Sequence, residues 1–132
     1  MGVRRILIAV DDQPMSVRAA EFGSELGRSL GGEVAFINVN NPAMEYGRAE
    51  QDSKQLLQGF RDRLSLPPST HDFVETGKPA PTIVNKAKEW SADLIVIASH
   101  GRSGMPRTLL GSVAEEVMRG APCPVLVVRA QT

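Results

Sequence analysis

The chain has 132 residues, with 15 Lys and Arg against 15 Asp and Glu, so its formal net charge is zero. One domain, spanning 1–132 and burying a core of its own, is expected at this length. The balanced charge excludes a general attraction to nucleic acid or to an acidic membrane surface. Hydrophobic residues at 42% and aromatic ones at 5% exclude an intrinsically disordered chain and an aromatic platform for single-stranded nucleic acid.

Taken in chain order, the first apolar run is Ile6-Leu7-Ile8-Ala9-Val10. It is too short for a signal-peptide core or a membrane span. Short, continuous and β-branched, it fits a strand covered by helices on both faces. Asp11 and Asp12 follow. A helix is then predicted from Pro14 to a stop at Gly31-Gly32, its apolar face marked by Ala19, Phe22, Gly23, Leu26 and Leu30. Asp11, at the strand end, could receive ribose hydroxyls or assist a divalent cation, and either Asp11 or Asp12 could cap this helix; function is favoured for Asp11 and capping for Asp12. Val34 to Val39 reads as a second strand. The polar stretch from Tyr46 to Leu64 carries Leu56, Leu57, Phe60 and Leu64 and reads as a surface helix ended by Pro67-Pro68. His71 to Thr76 alternates polar and apolar residues, the pattern of a half-exposed edge strand. Pro79 and Pro81 open a helix marked by Ala80, Ile83, Ala87 and Trp90, with Trp90 read as core rather than as a ligand platform. Leu94 to Ala98 is a second buried strand of the first kind. Val113, Val117 and Met118 mark a short helix closed by Gly120, and Val125 to Val128 is the last strand.

Strands alternating with helices imply an α/β fold with a five-stranded parallel, doubly wound sheet, Rossmann-like, helices on both faces. Ligands of such sheets sit beyond the carboxyl ends of the strands, at the switch point. That places interest on Asp11-Asp12, Val39-Asn40 and Ser99-His100-Gly101.

The segment from Ala98 to Ser112 follows a strand and precedes a helix. It holds Gly101, Gly104 and Gly111, with Arg102 and Arg107, and no carboxylate lies between Asp93 and Glu115. Loop amides and a helix N-terminus together make a phosphate cradle. The spacing is neither a Walker A loop nor the dinucleotide fingerprint. Each residue also has a plainer reading. Ser112-Val-Ala-Glu115 fits a capping box, a role compatible with phosphate contact because capping uses only some of the amides. Gly111 serves equally for tight packing or positive φ. Arg102 and Arg107 read equally as solvated charges, and His100 as an ordinary loop residue. Cys123 stands alone, which excludes an internal disulfide, and reads as a small buried hydrophobe. With only His71 and His100 beside it, no zinc site is expected. A reducing cytoplasm is the default compartment.

Ile6-Leu-Ile-Ala-Val-Asp11, Phe36-Ile-Asn-Val39, Gly77-Lys-Pro79, Ala92 to Ala98, Leu109-Leu-Gly-Ser112 and Ala121-Pro-Cys-Pro-Val-Leu-Val-Val128 together resemble the universal stress protein (UspA) superfamily along nearly the whole chain. The resemblance implies strand order 3-2-1-4-5. Nucleotide-binding members carry Gly, two residues, Gly, nine residues, Gly and Ser/Thr. Gly101, Gly111 and Ser112 match, and Ala98 replaces the first glycine. The resemblance implies Ala9 and Val39 near adenine, Asp11 near the ribose, and Gly101, Gly111 and Ser112 on the phosphates. The resemblance further implies Val10, Ala98, His100 and Val113 in the nucleotide site, with the loop of Arg102, Ser103 and Gly104 expected over the phosphates. The stretch from Asn41 to Thr70 is shorter than is usual in the family.

The expected function is an adenine-nucleotide-binding (ATP or AMP, with or without Mg2+) regulatory module of a stress response, with no catalytic residues. It is expected to form a homodimer through Val125–Val128, without nucleic-acid or membrane partners. The alternatives are a UspA-like interaction protein without nucleotide and a slow ATPase, for which His100 and Asp11 are the only obvious bases.

Overall fold

A computed structural model describes residues 2–41, 50–67, 69–99 and 111–129. Five parallel strands, β1 (Arg5–Ala9), β2 (Glu33–Asn40), β3 (His71–Thr76), β4 (Leu94–Ser99) and β5 (Val125–Arg129), form one sheet in the order β3-β2-β1-β4-β5. The helices are α1 (Pro14–Leu30), α2 (Glu50–Arg63), α3 (Pro79–Trp90) and α4 (Ser112–Gly120). β1 pairs with both β2 and β4, with Ala9 opposite Ile37 on one side and Ile97 on the other. The chain therefore winds outward through β2 and β3, then crosses back, and the switch point lies at the end of β1.

Alternation along the strands divides the core into two layers. Ile6, Ile8 and Val10 join Phe36, Val96 and Ala98 beneath α1 and α2. Leu7 and Ala9 join Ala35, Ile37, Ile95 and Ile97 beneath α3 and α4. As expected, β3 is a partly buried edge strand, and Cys123 packs half-buried against the second layer. Burial, followed by the charge of Asp93, pushes the Cys123 thiol pKa up, in keeping with a packing role.

The buried face of α1 differs from the expected one. It is made of small residues, Ser16, Ala19, Ala20, Gly23, Ser24 and Gly27, while Phe22 is 49% and Leu30 50% exposed. The reason is the close approach of helix to sheet. A Cβ on Gly23 would stand 2.6 Å from Ile8 Cδ1, and one on Gly27 2.5 Å from Val34 Cγ2. No large side chain fits in that gap. The stop is as expected. Gly31 takes φ 66°, and Gly32 donates to the Gly27 carbonyl at 2.9 Å, as in a Schellman motif. A Cβ on Gly32 would lie 2.8 Å from the Arg4 carbonyl oxygen. In α4, Ala114 and Val117 are buried but Met118 is 47% exposed, because one residue past Val117 is a rotation of about 100° away from the core.

The amino end of the sheet is tied by polar contacts. The backbone N–H groups of Arg4 and Arg5 donate to Asp93 Oδ2 at 2.9 and 3.0 Å. These two bonds hold the Asp93 carboxyl below its ordinary pKa. The Arg5 guanidinium donates to the Trp90 carbonyl at 2.8 Å and lies 5.6 Å from the indole centre. Trp90 meets His71 and Phe73 edge-on. The tryptophan is thus half-buried core at the end of the sheet far from the switch point.

Candidate functional site

At the carboxyl ends of β1, β2 and β4 lies an open cleft of about 570 Å³. Ala9, Ile37, Val39 and Ile97 supply an apolar wall from the sheet, and Pro79, Ile83 and Val113 close it from α3 and α4. Val10, Asp11, Ser16, Asn38 and Ala98 complete it. The structure therefore brings together six residues expected at the site: Ala9, Val10, Asp11, Val39, Ala98 and Val113. Gly111 and Ser112 adjoin Val113 at the start of α4. His100, Gly101, Arg102, Ser103 and Gly104 lie outside the described residues.

Asp11 is held by its own loop. Its Oδ1 accepts from the Gln13 backbone N–H at 2.9 Å and from Ser16 Oγ at 2.7 Å. Ser16 Oγ in turn accepts from the Asp11 backbone N–H at 2.8 Å. This corrects the expectation for Asp12. The N-cap of α1 is Gln13, without a side-chain cap, and it is Asp11 whose carboxylate takes the Gln13 amide. Asp12 accepts from the Gln13 side chain at 3.4 Å. An Asx turn two residues long favours the earlier aspartate.

On the neighbouring strand, Asn38 is 4% exposed and donates to the Val10 carbonyl at 2.8 Å, which stiffens the end of β1. Beyond it, Asn40 accepts from buried Ser53 of α2 at 3.0 Å.

The start of α4 also departs from expectation. Its N-cap is Gly111, not Ser112, and makes no side-chain cap bond; the Glu115 amide bonds back to the Gly111 carbonyl at 3.0 Å. The capping box on Ser112 is therefore not formed, and Glu115 pairs with Arg119 at 2.7 Å. Gly111 has φ −63°, so positive φ is not its role. Its N–H donates to Ser99 Oγ at 2.9 Å. The amides ahead of the first intrahelical donor are those of Ser112, Val113 and Ala114, next to the cleft.

Ala98 pairs with Val128 and is 3% exposed within the layer beneath α1. Its methyl group points to that layer, whereas the apolar wall of the cleft belongs to the other.

Chemically the cleft is an apolar slot lined by one fixed carboxylate just past β1 and by the first turn of α4. Among the described residues its lining carries one carboxylate, Asp11, and no histidine or cysteine. No group of three His, Cys, Asp or Glu among the described residues could hold a metal, and none of their helices is long and apolar enough to cross a membrane. Ser16 and Asn38 were not picked out from the sequence, and Ser99 was placed at the switch point without its partner Gly111. Ser16 and Ser99 had a legible signal, as hydroxyls beside the two strand ends that face the switch point.

Residues 2–129 match the model of the Universal stress protein family. The chain is 31% identical to Universal stress protein A homolog 2 of Coxiella burnetii, over 96% of this chain and 94% of that one. It is 32% identical to a universal stress protein of Methanocaldococcus jannaschii, over 96% and 82%. Among solved structures it superposes on a universal stress protein in complex with cAMP (TM-score 0.81, 22% identity, 99% and 100% covered). It also superposes on a universal stress protein from Archaeoglobus fulgidus in complex with dAMP (TM-score 0.66, 24% identity, 98% and 100% covered). At those identities the superpositions speak for the fold. The family match spans both sides of the cleft, from the strand that leads into Asp11 to the helix that begins at Ser112, and this chain belongs to the universal stress protein family.

Proposed function

We propose that the cleft binds an adenine ribonucleotide, ATP or AMP with or without Mg2+, and that the chain is a nucleotide-binding regulatory module of a stress response in the cytoplasm rather than an enzyme. One observation carries the reading. One cleft is lined by an apolar wall, by the fixed carboxylate of Asp11 and by Val113 in the first turn of α4, surfaces suited to a base, a ribose and a phosphate. The bound cAMP and dAMP of the two related structures support the ligand class.

In this reading adenine lies on Ala9 and Val39 and the ribose meets Asp11. The phosphates face the amides of Ser112 and Val113 and the segment from His100 to Gly104. The Gly111 amide is occupied by Ser99, so its part is to hold the helix end in place. Ala98 in place of glycine is compatible with binding because its methyl group is directed beneath α1.

Val125 to Val128 are half-buried apolar residues on a strand that ends the sheet. Such an edge needs a partner, and a second copy pairing β5 across a twofold axis supplies it. Light scattering at micromolar concentration tests this; a monomer alone would refute it.

The test of the nucleotide reading is mass spectrometry of small molecules released by denaturing the purified protein, with calorimetry of added ATP and AMP. Stoichiometric AMP or ATP, or saturable uptake, is expected. Neither would leave the chain an interaction protein without nucleotide.

A further inference from the structure

We infer that Ser16 is a positioning residue for Asp11, and that the pair makes the cleft prefer a ribonucleotide to one lacking the sugar hydroxyls. The inference rests on the nucleotide reading above. Ser16 is 1% exposed in the first turn of α1 and lines the cleft. A serine in the first turn has no earlier helical turn whose carbonyl its hydroxyl could take, and solvent is the ordinary alternative. Here the hydroxyl turns to Asp11 instead. It accepts from the Asp11 amide at 2.8 Å and donates to Asp11 Oδ1 at 2.7 Å.

The Gln13 amide adds a second donor to that same oxygen at 2.9 Å. Two donors on one oxygen, one of them from a buried side chain, fix both the rotamer and the plane of the carboxylate. Alanine would fill the same space and suit a helix at least as well. What the hydroxyl adds is its hold on Asp11. A carboxylate set in place beforehand loses less freedom when a vicinal diol binds it, so the gain falls on ligands that carry the diol. The base and phosphates, gripped elsewhere, gain nothing from it.

The test compares ATP and AMP with their 2′,3′-dideoxy analogues by calorimetry. The proteins are the unaltered chain, Ser16→Ala, Ser16→Thr, Asp11→Asn and the double variant Asp11→Asn/Ser16→Ala, each with its melting curve. Ser16→Ala is expected to weaken ribonucleotide binding about tenfold, the worth of one charge-assisted hydrogen bond, and to leave the dideoxy analogues unchanged. Ser16→Thr, which keeps the hydroxyl, restores the preference, and Ser16→Ala adds no further loss to Asp11→Asn. Equal weakening of both ligand types, or additive losses, would overturn the inference while leaving the nucleotide reading intact. If the unaltered chain binds none of the four ligands, both fall together. Should Ser16→Ala not fold, Ser16→Cys, a weak donor of similar shape, carries the same comparison.

Discussion

Ser99 Oγ accepts a 2.9 Å hydrogen bond from the backbone N–H of Gly111, twelve positions further along the chain. The bond joins the carboxyl end of β4 to the residue that opens α4, so the helix N-terminus is anchored to the sheet beside the cleft. Ser99→Ala leaves that amide without its acceptor. Urea unfolding is expected to show a loss of about 1–3 kcal/mol. Nucleotide affinity should fall with it, because the first turn of α4 loses its anchor.

Gly111 has extended backbone angles, φ −63° and ψ 152°, that any residue adopts. A carboxylate at a helix N-cap is also favourable to the helix. Gly111→Glu should therefore keep its melting temperature while losing more than about tenfold in affinity for ATP, because it places a negative charge where the phosphates are proposed to lie. Calorimetry beside a melting curve separates the two effects. Unchanged affinity would remove phosphates from the start of α4.

Restoring the family's glycine at Ala98 gives a discriminating result. The Ala98 methyl group is packed in the layer beneath α1. Ala98→Gly should cost about 1 kcal/mol of stability through the lost methyl and the freer backbone. Nucleotide affinity should change less than about threefold. A large gain in affinity would mean that the methyl group intrudes on the ligand.

Two glycine-to-alanine changes in helices should act with opposite sign. In α1 a Cβ on Gly23 meets Ile8 Cδ1 at 2.6 Å and Cγ1 at 2.7 Å. The displaced isoleucine is expected to cost about 1–3 kcal/mol, more than the helical gain of about 1 kcal/mol. In α2 nothing lies within 4 Å of a Cβ on Gly59, so Gly59→Ala should stabilise by about the helical gain alone. Thermal or urea unfolding of the two variants measures both.

Asp93 sets an acid limit on the amino end of the sheet. Its carboxylate accepts the amides of Arg4 and Arg5, which lowers its pKa in the folded chain. A depressed folded pKa gives stability that is present above the unfolded value, about 4, and is lost as pH falls through the folded one. The difference in stability between the unaltered chain and Asp93→Asn should therefore be constant near neutrality and shrink below about pH 4. A constant difference down to pH 2 would show that the two amides do not favour the charged form.

The strands were the legible part of the chain. Runs such as Ile6 to Val10 and Leu94 to Ala98 are continuous because both faces of each strand are covered, and their alternation with helical segments pointed to a parallel sheet. The apolar face of α1 was misread at Phe22 and Leu30 because spacing reports which residues share a side, not how close the sheet comes. The small residues between them, Gly23 and Gly27, hold that information. At the site, Asp11 and Val39 could be placed from the ends of their strands. The partners of Ser16 and Ser99 could not, because a hydroxyl's partner depends on a bond that closes only after the strand and the helix are side by side. The capping box on Ser112 failed for a related reason: a tertiary bond to Gly111 fixes the helix start one residue earlier.

The position of Trp90 has a practical consequence. It is the chain's single tryptophan, and the length of α3 carries it about 16 Å from Pro79 at the wall of the cleft. Its indole faces Arg5, His71 and Phe73 at the opposite end of the sheet. Intrinsic fluorescence will therefore follow the melting of the fold faithfully and stay silent when the cleft fills. An optical titration of this protein needs a fluorescent nucleotide, because the protein's own emission comes from the wrong end of the molecule.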